Sequence, residues 1–215
     1  MCDERRLTMF ITFEGPEGAG KTTILHKIAQ RLQAYGEVLV TREPGGIEIA
    51  EKIREVILNP MHTAMNEHTE ALLYAAARSQ HYFERIIPAL ANEKIVICDR
   101  FIDSSLAYQG YARNLGIEQV AAINKFAIGD AMPDITILFD IEPAKGLARI
   151  AANEQREINR LDQETLAFHT KVREGYHKVA QMYTSRIIVI NADATVDEVE
   201  QRVWQALEAR MNKSE

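Results

Sequence analysis

The chain has 215 residues, which suits one large domain, at most with a small appendage, because domains run to about 150 residues. With 47% hydrophobic and 26% charged residues, 11 Gly and 6 Pro, the composition is that of an ordinary globular protein and excludes disordered and fibrous classes. The 25 Lys+Arg against 31 Asp+Glu leave a net charge of -6, which argues against a general binder of nucleic acid or anionic membrane, so a phosphate ligand has to be held by a local cluster.

Met1 to Leu7 is charged and lacks the apolar stretch of a signal peptide. Residues 1–8 read as an N-terminal extension and 9–215 as a single domain. A strand is predicted over Met9–Glu14, then a helix over Thr22–Tyr35. A strand over Val38–Arg42 precedes helices over Ile47–Leu58 and Glu67–Ala91, and a strand over Ile95–Asp99 precedes helices over Ile102–Gly110 and Glu118–Ile128. A strand over Ile135–Asp140 leads to helices over Ala144–Ala152 and Glu164–Thr184, and a strand over Ile187–Ile190 leads to a helix over Val196–Met211. The strands are β-branched and nearly continuous in hydrophobicity, as in a parallel sheet buried on both faces. Strands alternating with helices predict a three-layer, doubly wound α/β fold on a five-stranded parallel sheet, with ligands at the carboxyl ends of the strands. The polar segment Ala152–Arg160, carrying Arg156 and Arg160, reads as a flap, giving a short lid at about 149–161.

The longest apolar run, Ala71 to Ala77, is far below the ~18 residues that span a bilayer. A cytoplasmic protein with no membrane contact is expected. Cys2 and Cys98 suggest neither a disulfide framework nor a cysteine metal site, and the six scattered histidines show no metal-ligand spacing.

Chemistry concentrates after the first strand, where Gly15-Pro16-Glu17-Gly18-Ala19-Gly20-Lys21-Thr22 fits the P-loop pattern between a strand and a helix. Its glycines let backbone N–H groups turn onto phosphate oxygens at a helix N-terminus. Lys21 would reach the β and γ phosphates of ATP, and Thr22 would ligate Mg²⁺. At the end of the third strand, Asp99 can hold the Mg²⁺ hydration shell and Arg100 can face a second phosphate. A GTPase reading is weakened, because the Asn-Lys pair Asn124-Lys125 continues Phe126-Ala127 rather than as a guanine-reading motif.

Further distinctive segments follow in order. With the cradle Phe13 to Thr23 stand Thr41-Arg42-Glu43-Pro44-Gly45-Gly46, Asp99-Arg100-Phe101, Asp103 to Gly110 and Asn159-Arg160-Leu161-Asp162. From about Phe10 to Arg210 the chain resembles the thymidylate kinase family of P-loop nucleoside monophosphate kinases. One departure is Phe101, where that family usually carries Tyr. An acidic Glu17 without a neighbouring arginine, with Arg149, Arg156 and Arg160 around the flap, resembles its bacterial type.

The resemblance implies transfer of phosphate from ATP to dTMP, giving dTDP on the route to dTTP. The alternatives are a kinase for another nucleoside monophosphate or a non-catalytic nucleotide-binding switch. It implies that Lys21, Arg100, Arg156 and Glu17 are catalytic, and that residues Gly15, Pro16, Glu17, Gly18, Ala19, Gly20, Lys21, Thr22 and Thr23 bind ATP with Arg149 and Arg160. On the dTMP side, Tyr74 stacks on thymine, Arg78 and Gln109 meet O4 and its neighbouring edge, and Ser104 and Ser105 lie beside them. Arg54 and Arg100 grip the dTMP phosphate, Glu17 takes the 3′-hydroxyl, Tyr108 crowds the 2′ position, and Arg42 and Glu43 belong to a rigid turn that can contain a cis Glu43-Pro44 bond. Residue spacing agrees in part: Tyr74 and Arg78 are four apart, as are Ser105 and Gln109, so each pair shares a helix face. The family also implies a homodimer formed through helices. Val120, Ile123 and Ala127 fit either a core stripe or that dimer face.

Overall fold

The computed structural model describes residues 7–152 and 159–212. Cys2 and Arg156 therefore lie outside the described residues. Strands β1 (Met9–Glu14), β2 (Val38–Arg42), β3 (Ile95–Asp99), β4 (Ile135–Asp140) and β5 (Ile187–Asn191) pair in parallel in the order β2-β3-β1-β4-β5. Phe13 lies opposite both Asp99 and Ile137, and Arg42 lies opposite Asp99. The strand ends that carry charge are thus level with one another along one edge of the sheet.

Side chains alternate across the sheet as a period of two requires. On one face Met9, Ile11 and Phe13 join Ile24, Ile28 and Leu32 of α1 (Lys21–Leu32) and Val199, Val203 and Leu207 of α9 (Val196–Met211). On the other, Phe10, Val96 and Cys98 meet Val172, Tyr176 and Val179 of α8 (Leu166–Met182) and the segment that follows β3. These are the three layers. Burial on both strand faces holds for β1, β3 and β4, whereas Val40 of β2 and Val189 of β5 are exposed, because each outer strand has a neighbour on one side alone.

Two predicted helices change character midway. Beyond α2 (Glu48–Leu58), the stretch read as Glu67–Ala91 is α3 (Glu67–His81), a π-helical turn over Tyr82–Ile86, and α4 (Ile87–Ala91). Pro88 cannot donate to the preceding turn, and the Ile87 N–H bonds back five residues to Tyr82 O. Likewise α5 (Ile102–Ser105) widens into π-helical turns over Leu106–Ala112 before α6 (Ile117–Ile128), a local widening common at functional sites. α7 (Pro143–Ala151) leads to the flap segment, of which 153–158 lie outside the described residues, and a 3-10 turn follows at Arg160–Gln163. Helix α8 begins later than expected because Thr165 caps it, its hydroxyl accepting from Phe168 N. Packing also starts before Met9, with the Leu7 N–H donating to Tyr35 O at 3.3 Å.

Helix α7 lies directly against the loop after β1. A Cβ on Gly146 would sit 2.3 Å from Glu17 O, so the helix and the loop touch backbone to backbone. Gly146→Ala should therefore push the loop aside and destabilise the fold by about 1–3 kcal/mol through overpacking. A urea midpoint equal to that of the wild type would contradict that contact.

Candidate active site

The loop between β1 and α1 turns on glycines with positive φ, Gly15 at 138°, Gly18 at 72° and Gly20 at 81°, a region that only glycine enters freely. At Gly18 a side chain is also excluded by space, since a Cβ would come within 2.0 Å of Gly146 O. Gly20 is the N-cap of α1, and it offers no side-chain cap. The first-turn N–H groups are left for an anion, where the helix dipole also favours one.

Lys21 is buried, and its Nζ donates to Gly15 O at 3.0 Å and Pro16 O at 2.9 Å. Its own loop holds it in place. Burial and then the nearby Arg100 pull its pKa from the ordinary 10.5 down to about 8. The Thr22 hydroxyl donates to Asp99 Oδ2 at 2.9 Å. A hydroxyl and a carboxylate in contact at the mouth of the cradle form an all-oxygen pair that fits Mg²⁺ better than a soft metal.

Across from the cradle stands Arg100, one of the few non-glycine residues with positive φ, at 68°. Its Nη1 donates to Gly15 O at 3.0 Å, Ser104 Oγ at 3.2 Å and Tyr176 Oη at 2.8 Å, and its Nη2 donates to Glu17 Oε1 at 2.8 Å. Burial works against its charge, yet Glu17 beside it raises its pKa well above the ordinary value. The Tyr108 hydroxyl donates to the same Glu17 oxygen at 3.2 Å. Arg54 donates to Pro44 O at 2.9 Å, and burial together with Arg42 pulls its pKa down. Arg42 itself pairs with Glu51 at 2.7 Å.

Behind these residues lies a group that sequence reasoning missed. Glu14, fully buried at the end of β1, accepts from Phe101 N at 2.7 Å, Ser104 N at 3.2 Å, the Ser104 hydroxyl and Tyr176 Oη at 3.0 Å. Burial and then Asp103 push its carboxyl from 4.5 up to about 7. Glu14 stands within the motif quoted above, but its donors lie up to 162 residues away, so only the fold reveals its role.

One cavity of about 780 Å³ runs across the edge of the sheet, a size suited to small-molecule ligands. It is lined at one end by Tyr74, Ser105, Tyr108 and Gln109, in the middle by Lys21, Thr22, Arg54, Asp99 and Arg100, and at the other end by Arg149, Ala194, Thr195 and Val199. Glu17 to Thr23, Arg42, Glu43 and Ser104 also line it. Of the expected residues, Gly15 and Pro16 stay behind the cradle, with their carbonyls taken as described.

Two arginines are placed differently from expectation. Arg78 does not line the cavity but lies buried behind it, donating through Nε to Glu43 Oε2 at 2.8 Å, through Nη1 to Ser105 Oγ at 3.0 Å and to Asn124 Oδ1, and through Nη2 to Phe101 O at 2.9 Å. Four of its five N–H donors are used, and one Nη2 hydrogen has no partner among the described residues. Arg160 turns away from the cradle, donating from Nε to Ile57 O at 2.9 Å and from Nη2 to Glu70. Two Arg160 nitrogens are spent on tying the 3-10 turn to α2 and α3. Arg149 does face the cavity and donates to Ala192 O at 3.3 Å.

Glu43, His81 and Cys98 come within 4.8 Å of one another, a meeting their spacing in sequence did not announce. His81 already bonds Glu43 Oε1 at 2.9 Å and Thr41 Oγ1 at 2.7 Å, and Cys98 Sγ donates to Arg100 O at 3.0 Å. Burial pushes the Cys98 thiol well up. A protonated thiol and an imidazole with both nitrogens engaged make this a hydrogen-bonded support for the Glu43-Pro44 turn, whose peptide bond is cis.

Comparison with known proteins agrees with this geometry. A family model described as thymidylate kinase matches residues 13–203. A thymidylate kinase of Geobacillus sp. (strain WCH70) is 62% identical over 191 residues, covering 88% of this chain and 91% of that protein, and one of Bacillus velezensis is 60% identical over 206 residues, covering 95% and 97%. The crystal structure of thymidylate kinase from Ehrlichia chaffeensis superposes with a TM-score of 0.75 at 33% identity, covering 94% of this chain and 99% of that one.

The lowered pKa of Lys21 has a measurable consequence for stability. Between about pH 8 and 10.5 the folded lysine has lost its proton while the unfolded one keeps it, so the unfolded state binds more protons and wild-type stability gains with rising pH. Measured against Lys21→Met by urea titration, the wild type should gain ground across that window and hold a constant difference below it. A difference that is flat across the window would show that Lys21 is not desolvated.

Proposed function

The chain belongs to the thymidylate kinase family and phosphorylates dTMP with ATP, and we propose that it does so in the cavity above, with the donor phosphates on the cradle and dTMP between Arg100 and Tyr74. The observation that carries this assignment is the pairing, across one cavity, of the uncapped cradle with Lys21 and a second cation, Arg100, held in a left-handed backbone conformation. A nucleotide-binding switch is not favoured, since it has no use for a second end lined by Tyr74, Ser105, Tyr108 and Gln109.

A phosphate monoester has its second pKa near ~6, so the attacking oxygen is already anionic at neutral pH. No general base is required. The residues have to align two polyanions and offset their repulsion. Lys21 and the first-turn amides of α1 take the donor phosphates, while Arg100 and Arg54 take the phosphate of dTMP. Thr22 and Asp99 are the residues that would hold Mg²⁺, which neutralises charge on the transferring group. Tyr74 stacks on the base, the remaining Arg78 hydrogen meets O4, Ser105 and Gln109 complete the edge, Glu17 takes the 3′-hydroxyl and Tyr108 bars a 2′-hydroxyl. Arg149 covers the far end with Thr195 and Val199, where the adenine would lie. Arg156 keeps the catalytic role the family resemblance implies.

Both substrates are nucleotides of the cell interior, which supports a cytoplasmic setting, and no helix among the described residues is long and apolar enough to cross a membrane. A homodimer is part of this reading. Helices α3 and α6 pack together, Ser79 Oγ donating to Ala127 O at 2.7 Å, and they present Leu72 and Phe126, the latter 95% exposed. Exposed apolar side chains on two packed helices fit an isologous contact between two copies. Phe126→Asp should shift the protein from dimer to monomer in analytical ultracentrifugation. A wild type that sediments as a monomer would end the dimer reading.

The assignment is tested by kcat/KM for a panel of monophosphates at fixed ATP. Losing the 5-methyl group forfeits about 1–3 kcal/mol, so dUMP should trail dTMP by ~10- to 200-fold, and dCMP, which offers Arg78 an amino group in place of O4, should trail by up to ~10⁴-fold. Excess chelator should abolish turnover of dTMP. Equal values for dTMP and dCMP would show that Arg78 does not read the base edge.

A further inference from the structure

We propose that Glu70 is a positioning residue for the choice of base, turning the side-chain amide of Gln109 so that its carbonyl oxygen and not its NH₂ faces the cavity. This rests on the reading above that Gln109 lies at the base end. Glu70 does not line the cavity. It lies on α3, 1% exposed, and its Oε1 accepts from Gln109 Nε2 at 2.8 Å. The same carboxylate is held by Arg113, with Nε 3.4 Å from Oε1 and Nη2 3.4 Å from Oε2, and by Arg160 at Oε2.

A carboxylate so surrounded has no proton to give and can only accept. Burial opposes its charge, but Arg113, Gln109 and Arg160 together hold its pKa below the ordinary carboxylate range. Turning the Gln109 amide over would bring a carbonyl oxygen against a buried carboxylate oxygen, leaving the amide oxygen without a donor there and Glu70 Oε1 with only the 3.4 Å bond from Arg113, a costly arrangement in a dry interior. The amide is thereby confined to one orientation. One hydrogen of its NH₂ is given to Glu70, and Oε1 is the acceptor that Gln109 can offer a ligand.

An acceptor at that place selects a base whose ring nitrogen carries hydrogen. Thymine has N3–H, whereas cytosine has a lone pair at N3 and would leave two acceptors face to face. The remaining Arg78 hydrogen, on the Nη2 that bonds Phe101 O, reads the adjoining exocyclic position, so the two signals reinforce each other. Glu70 also grips Arg160 at the foot of the 3-10 turn, but the base choice follows from its other oxygen.

The experiment compares kcat/KM for dTMP and dCMP at fixed ATP in four proteins. In Glu70→Gln the new partner can donate or accept, the Gln109 amide is free to turn, and the preference for dTMP should fall at least ~10-fold, in part through a gain with dCMP. Gln109→Leu should also lose preference, without the gain. Arg160→Met, which keeps the bond between Glu70 and Gln109, should be less stable but retain the wild-type preference. If Glu70→Gln lowers both substrates in proportion while Gln109→Leu loses preference, the orienting role is wrong and the placement of Gln109 stands. If Gln109→Leu keeps full preference, the placement itself is wrong. Should Glu70→Gln fail to fold, side-chain ¹⁵N spectra of the wild type decide, with the Gln109 NH₂ signals assigned by their loss in Gln109→Leu. Saturating dTMP should leave those protons near their free positions, still bonded to Glu70. A large displacement would mean that the NH₂ meets the base and would overturn the proposal.

Discussion

The site depends on one buried carboxylate. Glu14 ends the central strand and gathers the backbone N–H groups of Phe101 and Ser104 with the hydroxyls of Ser104 and Tyr176. These donors span the loop that follows β3, where Arg100 takes a left-handed conformation that is costly for a side chain with a Cβ. The loop is over-determined from behind, so the strain is held. The consequence is that Arg100 faces the cradle with its guanidinium fixed by Gly15 O, Ser104 and Tyr176. The central strand therefore sets both halves of the site, the cradle through its continuing chain and the opposing cation through Glu14.

Holding that carboxylate has its own cost, visible in a carboxyl pushed to about 7 by burial and then by Asp103. Asp103 is offset in turn by Arg186, whose Nη1 and Nη2 reach its two oxygens at 2.7 Å and 2.6 Å, with Thr136 bonded to both residues. Two acids beneath the sheet edge are thus balanced by one arginine from the chain before β5 and by Arg100 in the site. Charge is arranged in layers, the deeper pair serving structure and the outer pair facing the cavity.

Much of this was legible in the sequence. The strands were plain because a parallel sheet buried on two faces writes itself as continuous β-branched runs, and the cradle was plain because phosphate binding by backbone amides demands glycine at fixed places. Tyr74, Ser105, Tyr108 and Gln109 do line one end of the cavity. What pattern cannot convey is which donors a polar side chain spends on its own protein. Arg78 and Arg160 carry the right charge in the right segments, yet Glu43, Ser105, Asn124 and Phe101 O claim four of the Arg78 hydrogens while Ile57 O and Glu70 turn Arg160 away, and those partners lie far away in sequence. Glu14, Glu70 and Tyr176 escaped notice for the same reason.

The pair between Glu17 and Arg100 adds a last step. The carboxylate lies 2.8 Å from the guanidinium that would receive the phosphate of dTMP, so a ligand dianion and Glu17 compete for one cation. The competition need not be lost by either, because a guanidinium can serve two oxygens on separate edges. Nη1 is turned toward Gly15 O, Ser104 and Tyr176, and Nη2 toward Glu17. If phosphate takes the place of those neutral oxygens while Glu17 stays on Nη2, the carboxylate remains beside Tyr108 and is presented to the sugar. Arg100 would then locate both ends of the sugar phosphate, one directly and one through Glu17, which explains why an acidic residue is tolerated inside a cradle built for anions.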